Sequence, residues 1–379
     1  MQPSNAAEED WELLMSFFPA DWKGLASRAG ALKGLRRDKS AESLLRVLLL
    51  HVGCGHSLRE TVVRAKAAHL ADLSDVALLK RLRKSKAWLY DLCCALWKER
   101  GVRLEAAAGA PALRLVDSTL VQEPGQTGSL WRLHYSFQWP TLACDYFKVS
   151  AREGKGNGES LQQYPLQAGD YLLADRGYCQ ARGIHFAAGK NAQVTVRLNP
   201  QGIRLQGPDG SPFELPSRLQ RIQKTGRLGV WHVNIPLEGQ RPVAARLCVL
   251  RKNKAAIALA QKKLRREASK NGSQLQPETL FYAQYVMVLS TFPEKAFSPG
   301  QVLEAYRYRW QLELVFKRLK QIAQLGHLPK CQDESAQAWL YGKLFVALLT
   351  EKLMAHARAV SPWGYGGPIP TGSQPVAGI

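Results

Sequence analysis

Two aspartates stand alone in otherwise apolar runs, Asp117 in LRLVDSTLV and Asp175 at the end of DYLLADRGY. A carboxylate in a buried strand is costly unless it is hydrogen-bonded, paired or bound to a metal ion. Each therefore needs a partner; for Asp175 the nearest ionic one is Arg176. A third acid lies in AYRYRWQLELVFKRLKQ, residues 305–321. At about 100° per residue along a helix, Tyr306, Arg309, Glu313 and Lys320 fall within an arc of roughly 60°. Leu312, Val315, Phe316, Leu319 and Ile322 form a separate apolar stripe, so the core-facing side is complete without that row. Taken alone the row is a solvated face, in which Glu313 makes i,i+4 pairs with Arg309 and Lys317 worth about 0.2–0.5 kcal/mol each. Taken with Asp117 and Asp175 it supplies the third member of a carboxylate cage. Such a cage suits hard divalent cations, Mg²⁺ (or Mn²⁺), which take oxygen ligands from carboxylates, phosphates and water.

The elements that must position these groups can be read from periodicity. LRLVDSTLV, WRLHYSFQ and ACDYFKVSA have strand character, ESLQQYPL reads as a short helix, and DYLLADRGY as a buried strand. QVTVRLN, GIRLQ, GRLGVWHVNIPLE and PVAARLCVLRKN alternate apolar and polar residues between Gly and Pro turns, as antiparallel strands do. KAAIALAQKKLRREASKNG follows as a helix with a cationic face, then LFYAQYVMVLSTFP as another buried strand. Before all of these, residues 41–99 are helical and basic, with Ser40 or Ser43, Ser57 with Glu60, and Ser74 or Asp75 as helix starts. Three short helices with tight joints fit either a plain bundle or a helix-turn-helix. The run Lys80, Arg81, Leu82, Arg83, Lys84 favours phosphate contact and hence the latter. The expected organisation is a helical DNA-binding domain over 1–105, an α/β catalytic core over 113–198 and 280–358, a β-rich insertion over 199–279, and a flexible tail over 361–379.

Composition narrows the partners. The chain has 379 residues and a formal charge of +21 from 52 basic and 31 acidic residues, which points to a polyanion, nucleic acid above all. No apolar run reaches the roughly 18 residues that span a membrane, and the first residues, MQPSNAAEEDWELL, are acidic where a signal peptide is basic. A cytoplasmic protein without membrane contact is expected. The seven cysteines are scattered with no C-x-x-C, so neither a disulfide framework nor a zinc site is indicated. Asp145 and Asp170 read as surface or turn residues and His134 as structural.

VDST at 116–119, ADRGY at 174–178 and the spacing Tyr306-x2-Arg309-x3-Glu313-x6-Lys320 together resemble the DDE transposases of bacterial insertion sequences. The similarity is to the family-four group with its Tyr-Arg-Glu-Lys signature, and it covers residues 113–360. The resemblance implies a ribonuclease-H-like fold, with the first Asp on the central strand, the second at the end of the fourth, the Glu on a later helix, and a β-rich insertion before that helix. It implies Asp117, Asp175 and Glu313 as catalytic metal ligands, Arg309 and Lys320 as phosphate holders, and Tyr306 as a contact to the DNA backbone or a displaced base. Relatives that form DNA hairpins use an aromatic, commonly Trp, in the strand before the signature helix; here FYAQYVMVLSTFP offers Tyr285 or Tyr282.

The expected protein is thus a DNA transposase that binds the terminal inverted repeats of an insertion sequence and performs metal-dependent strand cleavage and strand transfer. Its partners would be double-stranded DNA, both element ends and target, with a homodimer in the DNA complex, in the bacterial nucleoid. The tail after SPWGY lacks the longer extension of many relatives, which motivates a rival reading: a catalytically idle DNA-binding regulator or inhibitor derived from a truncated transposase.

Overall fold

The computed structural model describes residues 6–35, 40–99, 113–122, 130–139, 143–151, 158–309, 328 and 333–359. The first of these hold six helices: α1 (Ala6–Met15), α2 (Trp22–Arg28), α3 (Ala41–Val52), α4 (Leu58–Ala67), α5 (Asp75–Lys84) and α6 (Lys86–Glu99). Three of the starts read from sequence are real caps. The Ser40 hydroxyl accepts from the N–H groups of Glu42 and Ser43, Ser57 from Glu60, and Ser74 from Ala77. Each satisfies a donor that the first turn leaves without a partner, worth about 1 kcal/mol.

Three antiparallel strands follow: β1 (Leu113–Gln122), β2 (Leu130–Gln138) and β3 (Ala143–Ala151). The chain then returns beside β1 as β4 (Tyr171–Ala174), crosses through α7 (Ala181–Gly189), and adds β5 (Gln193–Arg197), both parallel to β1 and to each other. A meander continued by parallel crossover strands is the mixed sheet of a ribonuclease-H-like fold, with Asp117 on its central strand.

After α8 (Leu215–Gln220) come the long hairpin of β6 (Leu228–Leu237) and β7 (Gln240–Arg251), then α9 (Lys254–Lys270), α10 (Pro277–Tyr282) and β8 (Tyr285–Ser290). Leu237 pairs with Gln240 across a two-residue turn, where Gly239 takes a positive φ, 71°, that a residue without a Cβ adopts freely. The strands of the insertion do not form a sheet of their own. β8 pairs with both β5 and β7, giving one eight-stranded sheet in the order β3-β2-β1-β4-β5-β8-β7-β6. Two expected elements are reduced: ESLQQYPL keeps only a 3-10 turn at Leu161–Gln163, and GIRLQ only isolated bridges from Gln206 to Pro212 and Asn234.

α11 (Pro299–Arg307) and α12 (Asp333–Ala359) complete the described elements. One face of the sheet, carrying Leu115, Leu133, Tyr135, Phe137 and Leu173, packs in a single core with α2 to α6, α11 and α12. Phe18 stacks edge-on against Phe345 at 5.6 Å, and Lys352 Nζ donates to Phe17 O and Glu99, both at 2.9 Å. The N-terminal helices therefore share a core with the sheet. The other face, with Val116, Leu172, Ala174 and Val196, is covered by α7 and α8. Among the described residues no helix is long and apolar enough to cross a membrane.

Candidate active site

Two neighbouring strands bring the aspartates together. β1 and β4 are parallel with Val116 opposite Ala174, so Asp117 and Asp175 are the next residues on adjacent strands, about 5 Å apart across the sheet. Alternation decides the face. Val116 and Ala174 point into the α7 and α8 core while Leu115 and Leu173 point into the helical core, so both aspartates share the helical side. β4 ends at Ala174, which leaves the Asp175 side chain 41% exposed, while Asp117 is only partly covered in a longer strand.

The signature segment meets them there. Ser298 opens α11 with a capping box, its hydroxyl accepting from Gln301 N–H while Gln301 Oε1 accepts from Ser298 N–H, and Pro299 fits the first turn. Val302 and Ala305 bury against the sheet, which aims the far end of α11 at Asp175. The Tyr306 hydroxyl donates to Asp175 Oδ1 at 3.4 Å, and Arg309 Nε lies 3.9 Å from the same oxygen. The Arg309 guanidinium also lies 6.0 Å from the centre of the Tyr306 ring. Tyr308 stacks on Trp139 at 4.2 Å, pinning the turn after α11 to the end of β2. The helix expected over 305–321 is seen as far as Arg307; Glu313 and Lys320 lie outside the described residues.

Arg176 does not neutralise Asp175. Its Nε and Nη2 donate to Asn199 Oδ1 at 3.2 and 2.9 Å. Burial pushes the Asp117 carboxyl up to about 7; the charges of Asp175 and Glu159 push the same way, and the Ser118 N–H and Arg309 pull it down. Asp117 and Asp175 thus turn two carboxyl groups toward one cleft, with Arg309 Nε 3.9 Å from Asp175 Oδ1. Their donors are all carboxylate oxygens, the type that suits Mg²⁺ or Mn²⁺. Among the described residues no three His, Cys, Asp or Glu side chains converge to hold a metal ion, so a complete cage needs a donor from beyond them.

Behind β1 lies a support that the sequence did not disclose. Buried Tyr164 donates its hydroxyl to the Asp117 carbonyl at 2.7 Å and shares a 2.9 Å hydrogen bond with the buried Tyr178 hydroxyl. Ser118 N–H donates to Asp117 Oδ1 at 2.7 Å, while Ser118 Oγ donates to Glu159 Oε1 at 3.2 Å. Arg132 Nη1 ties the two together, 2.9 Å from Ser118 Oγ and 3.0 Å from Glu159 Oε1. A Cβ on Gly177 would overlap the Glu159 carboxylate, so the glycine of ADRGY leaves room for that side chain. Removing the Tyr164 hydroxyl by Tyr164→Phe strips a buried carbonyl of its partner, a loss of about 1–3 kcal/mol. The expected result is a melting temperature lower by a few degrees; equal melting of the two proteins would remove Tyr164 from this role.

Other expected residues sort by exposure. Lys80 and Lys84 are exposed on α5, but Arg81 donates to the carbonyls of Lys33 and Gly34 and Arg83 is partly buried. Tyr285 needs correction as a DNA contact: it is 2% exposed, and its hydroxyl donates to Leu219 O at 3.0 Å. β8 is covered on both faces, so a strand aromatic there belongs to the core. Asp170 does close a turn, its N–H donating to Gln167 O at 3.2 Å, whereas Asp145 lies within β3 and is not a surface residue; both accept from the buried Arg114, at 2.6 and 2.9 Å. His134 is structural, its Nε2 3.0 Å from Ser150 Oγ, with burial pushing its pKa down to about 4.

Residues 142–349 match the family described as Transposase DDE domain. The chain is 31% identical to the InsL protein of insertion sequence element IS186A of Escherichia coli strain K12, over 92% of this chain and 95% of that one. It is also 31% identical, with the same coverage, to the transposase for insertion sequence element IS421 of Escherichia coli. With the transposase for IS231B of Bacillus thuringiensis subsp. berliner, identity is 21% over 92% of this chain and 80% of that one. The piggyBac transposase synaptic complex with hairpin DNA aligns at a TM-score of 0.45 and 10% identity, covering 91% of this chain and 73% of that one.

Proposed function

This chain belongs to the DDE transposases of bacterial insertion sequences, and from that membership we propose that it cuts the terminal inverted repeats of its element and joins them to target DNA through Asp117, Asp175 and Glu313. It is a DNA transposase: a DNA-binding enzyme of strand cleavage and transfer that depends on a divalent cation. The observation that carries the assignment of residues is the convergence of Asp117 and Asp175 on one face of adjacent parallel strands, with Arg309 at 3.9 Å.

Mg²⁺ is the cation we assign, held by Asp117, Asp175 and Glu313, where it would supply Lewis acidity to the attacking and leaving oxygens of the phosphate. The chain's own groups do the rest. Tyr306 donates to Asp175 Oδ1 across 3.4 Å. Arg309 presents a cation that is 14% exposed beside the carboxylates, suited to neutralising a phosphate oxygen as charge builds on it. Lys320, the last residue of the same signature, holds a second phosphate in this reading, and Lys80 and Lys84 of α5 contact DNA further out. Both element ends must be held at once, so the active form is a homodimer on DNA.

The test is incubation of the full chain with a duplex carrying its element end in Mg²⁺. A nick at the element boundary is expected, followed by joining of the freed 3′ end to a second duplex; no cleavage in either Mg²⁺ or Mn²⁺ defeats the reading. Arg309→Ala should lower single-turnover cleavage by about 100-fold, in the range seen when one positioned donor is removed. Its DNA affinity should stay within about threefold, since one phosphate contact among many is lost. Weak binding with normal cleavage of bound DNA would displace Arg309 from the reacting phosphate.

A further inference from the structure

α9 is loosely integrated into the fold: none of its 17 residues is buried. Ala256, Ile257, Ala260, Leu264 and Ala268 form its partly covered side, where Gln261 Nε2 donates to Leu280 O at 3.4 Å. Lys254, Lys262, Lys263, Arg265, Arg266 and Lys270 are all exposed. At about 100° per residue these six fall on one half of the helical cylinder. The helix holds a single acid, Glu267, 4.0 Å from Lys263. A helix that is merely solvated gains from mixed signs at i,i+4 spacing, whereas this face repels itself until an anion covers it.

Topology places the start of α9 on the same edge of the sheet as the active site. β5 is antiparallel to β8, and β8 to β7, so β7 runs in the direction of β1, β4 and β5. The C-terminal end of β7, at Arg251, therefore lies on the same sheet edge as the end of β4, where Asp175 follows. α9 begins at Lys254, just beyond it. Asp175 is level with Cys248 on β7, so three strand-to-strand steps of about 4.8 Å across and three residues of about 3.3 Å along put Arg251 roughly 17 Å from Asp175. Cations fill the interval. Arg197 stands exposed at the end of β5, and its charge acts on the Tyr306 hydroxyl on one side and on the Lys252 ammonium on the other. Lys252 is held there by donating to Ala283 O at 2.9 Å.

We infer that α9 is a phosphate-binding rail for duplex DNA flanking the cleaved bond, joined to the active site along the sheet edge by Arg197 and Lys252. This rests on the transposase reading above, which supplies the duplex. A 17-residue helix is about 25 Å long, the rise of roughly seven base pairs at about 3.4 Å each. The rail therefore adds affinity for flanking DNA of any sequence, because cations spaced along it meet phosphates.

The test replaces Lys262, Lys263, Arg265 and Arg266 together by Gln in the full chain, with Lys262→Arg/Lys263→Arg as the charge-keeping control. Affinity is measured against salt for a long duplex and for one cut short a few base pairs from the scissile bond. Each phosphate contact contributes about 0.9 to the slope of log affinity against log salt, so losing half or more of the four lowers it by about 2. Binding of the long duplex should weaken at least tenfold, the short duplex much less, with the melting temperature and the charge-keeping control both like the parent. An unchanged slope, or equal loss on both duplexes, overturns the rail, as does loss confined to vesicles of anionic phosphatidylglycerol. A parent whose long-duplex affinity needs α9 but which never cleaves DNA keeps the rail and loses the transposase reading; a cleaving parent whose variant binds normally does the reverse.

Discussion

Asp175→Asn is expected to cut single-turnover strand cleavage in Mg²⁺ by at least about 1,000-fold while leaving a folded protein that still binds element ends. Asparagine keeps the size and planar shape of the side chain but presents one neutral carbonyl and a donor in place of an anion, so it cannot draw a divalent cation into the cleft. Removing several kcal/mol of charge stabilisation from phosphoryl transfer corresponds to tenfold in rate for each lost increment of about 1.36 kcal/mol. Stability should hardly change. The carboxylate is 41% exposed, its contacts at 3.4 and 3.9 Å are long, and Arg176 is engaged with Asn199 instead. A cleavage assay and a melting curve on one preparation decide the matter, with Glu313→Gln beside them. Normal cleavage by either well-folded variant removes that residue from the metal site, and a melting loss with normal cleavage per folded molecule would make Asp175 structural.

What the sequence discloses and what it withholds follow the reach of the interactions. Asp117 and Asp175 stand out because a charge inside an apolar run is a local anomaly, and Ser40, Ser57 and Ser74 announce helices because a cap acts within three residues. The clamp behind Asp117 joins Ser118, Arg132, Glu159 and Tyr164 from four segments; Glu159 and Arg132 look like ordinary polar residues until the sheet brings them together. The same reason hides the sheet's extension. GRLGVWHVNIPLE and PVAARLCVLRKN reveal a hairpin through their alternation, but that β8 would carry it onto β5 depends on the pairing of Thr195 with Ser290, residues far apart in the chain. Tyr285 misleads because an aromatic in a strand looks alike on a surface or in a core; here both faces of β8 are covered.

Asp117→Asn should do the opposite of what removing a structural carboxylate does: it should stabilise the metal-free protein at neutral and alkaline pH. Burial, with Asp175 and Glu159 nearby, holds the Asp117 carboxyl at about 7 in the folded chain against an ordinary value of 3.8. A group raised on folding contributes stability that is fully present below its ordinary value of 3.8 and is lost as pH rises through about 7. Above that, the fold carries a charged carboxylate it disfavours, at a cost on the order of a few kcal/mol, since a tenfold change in proton affinity corresponds to about 1.36 kcal/mol. Asparagine removes this cost and keeps an oxygen for the Ser118 N–H, now 2.7 Å from Asp117 Oδ1. In EDTA at pH 8 the variant should melt about 3 °C or more above the parent, and the gap should close as pH falls to about 4. Adding Mg²⁺ at pH 8 should raise the melting temperature of the parent, because a ligand of the folded state stabilises it, and should leave the variant where it was. Equal melting of the two proteins at every pH would mean that Asp117 carries no electrostatic penalty in the fold, and the case for a cation drawn in by strained carboxylates would fall with it.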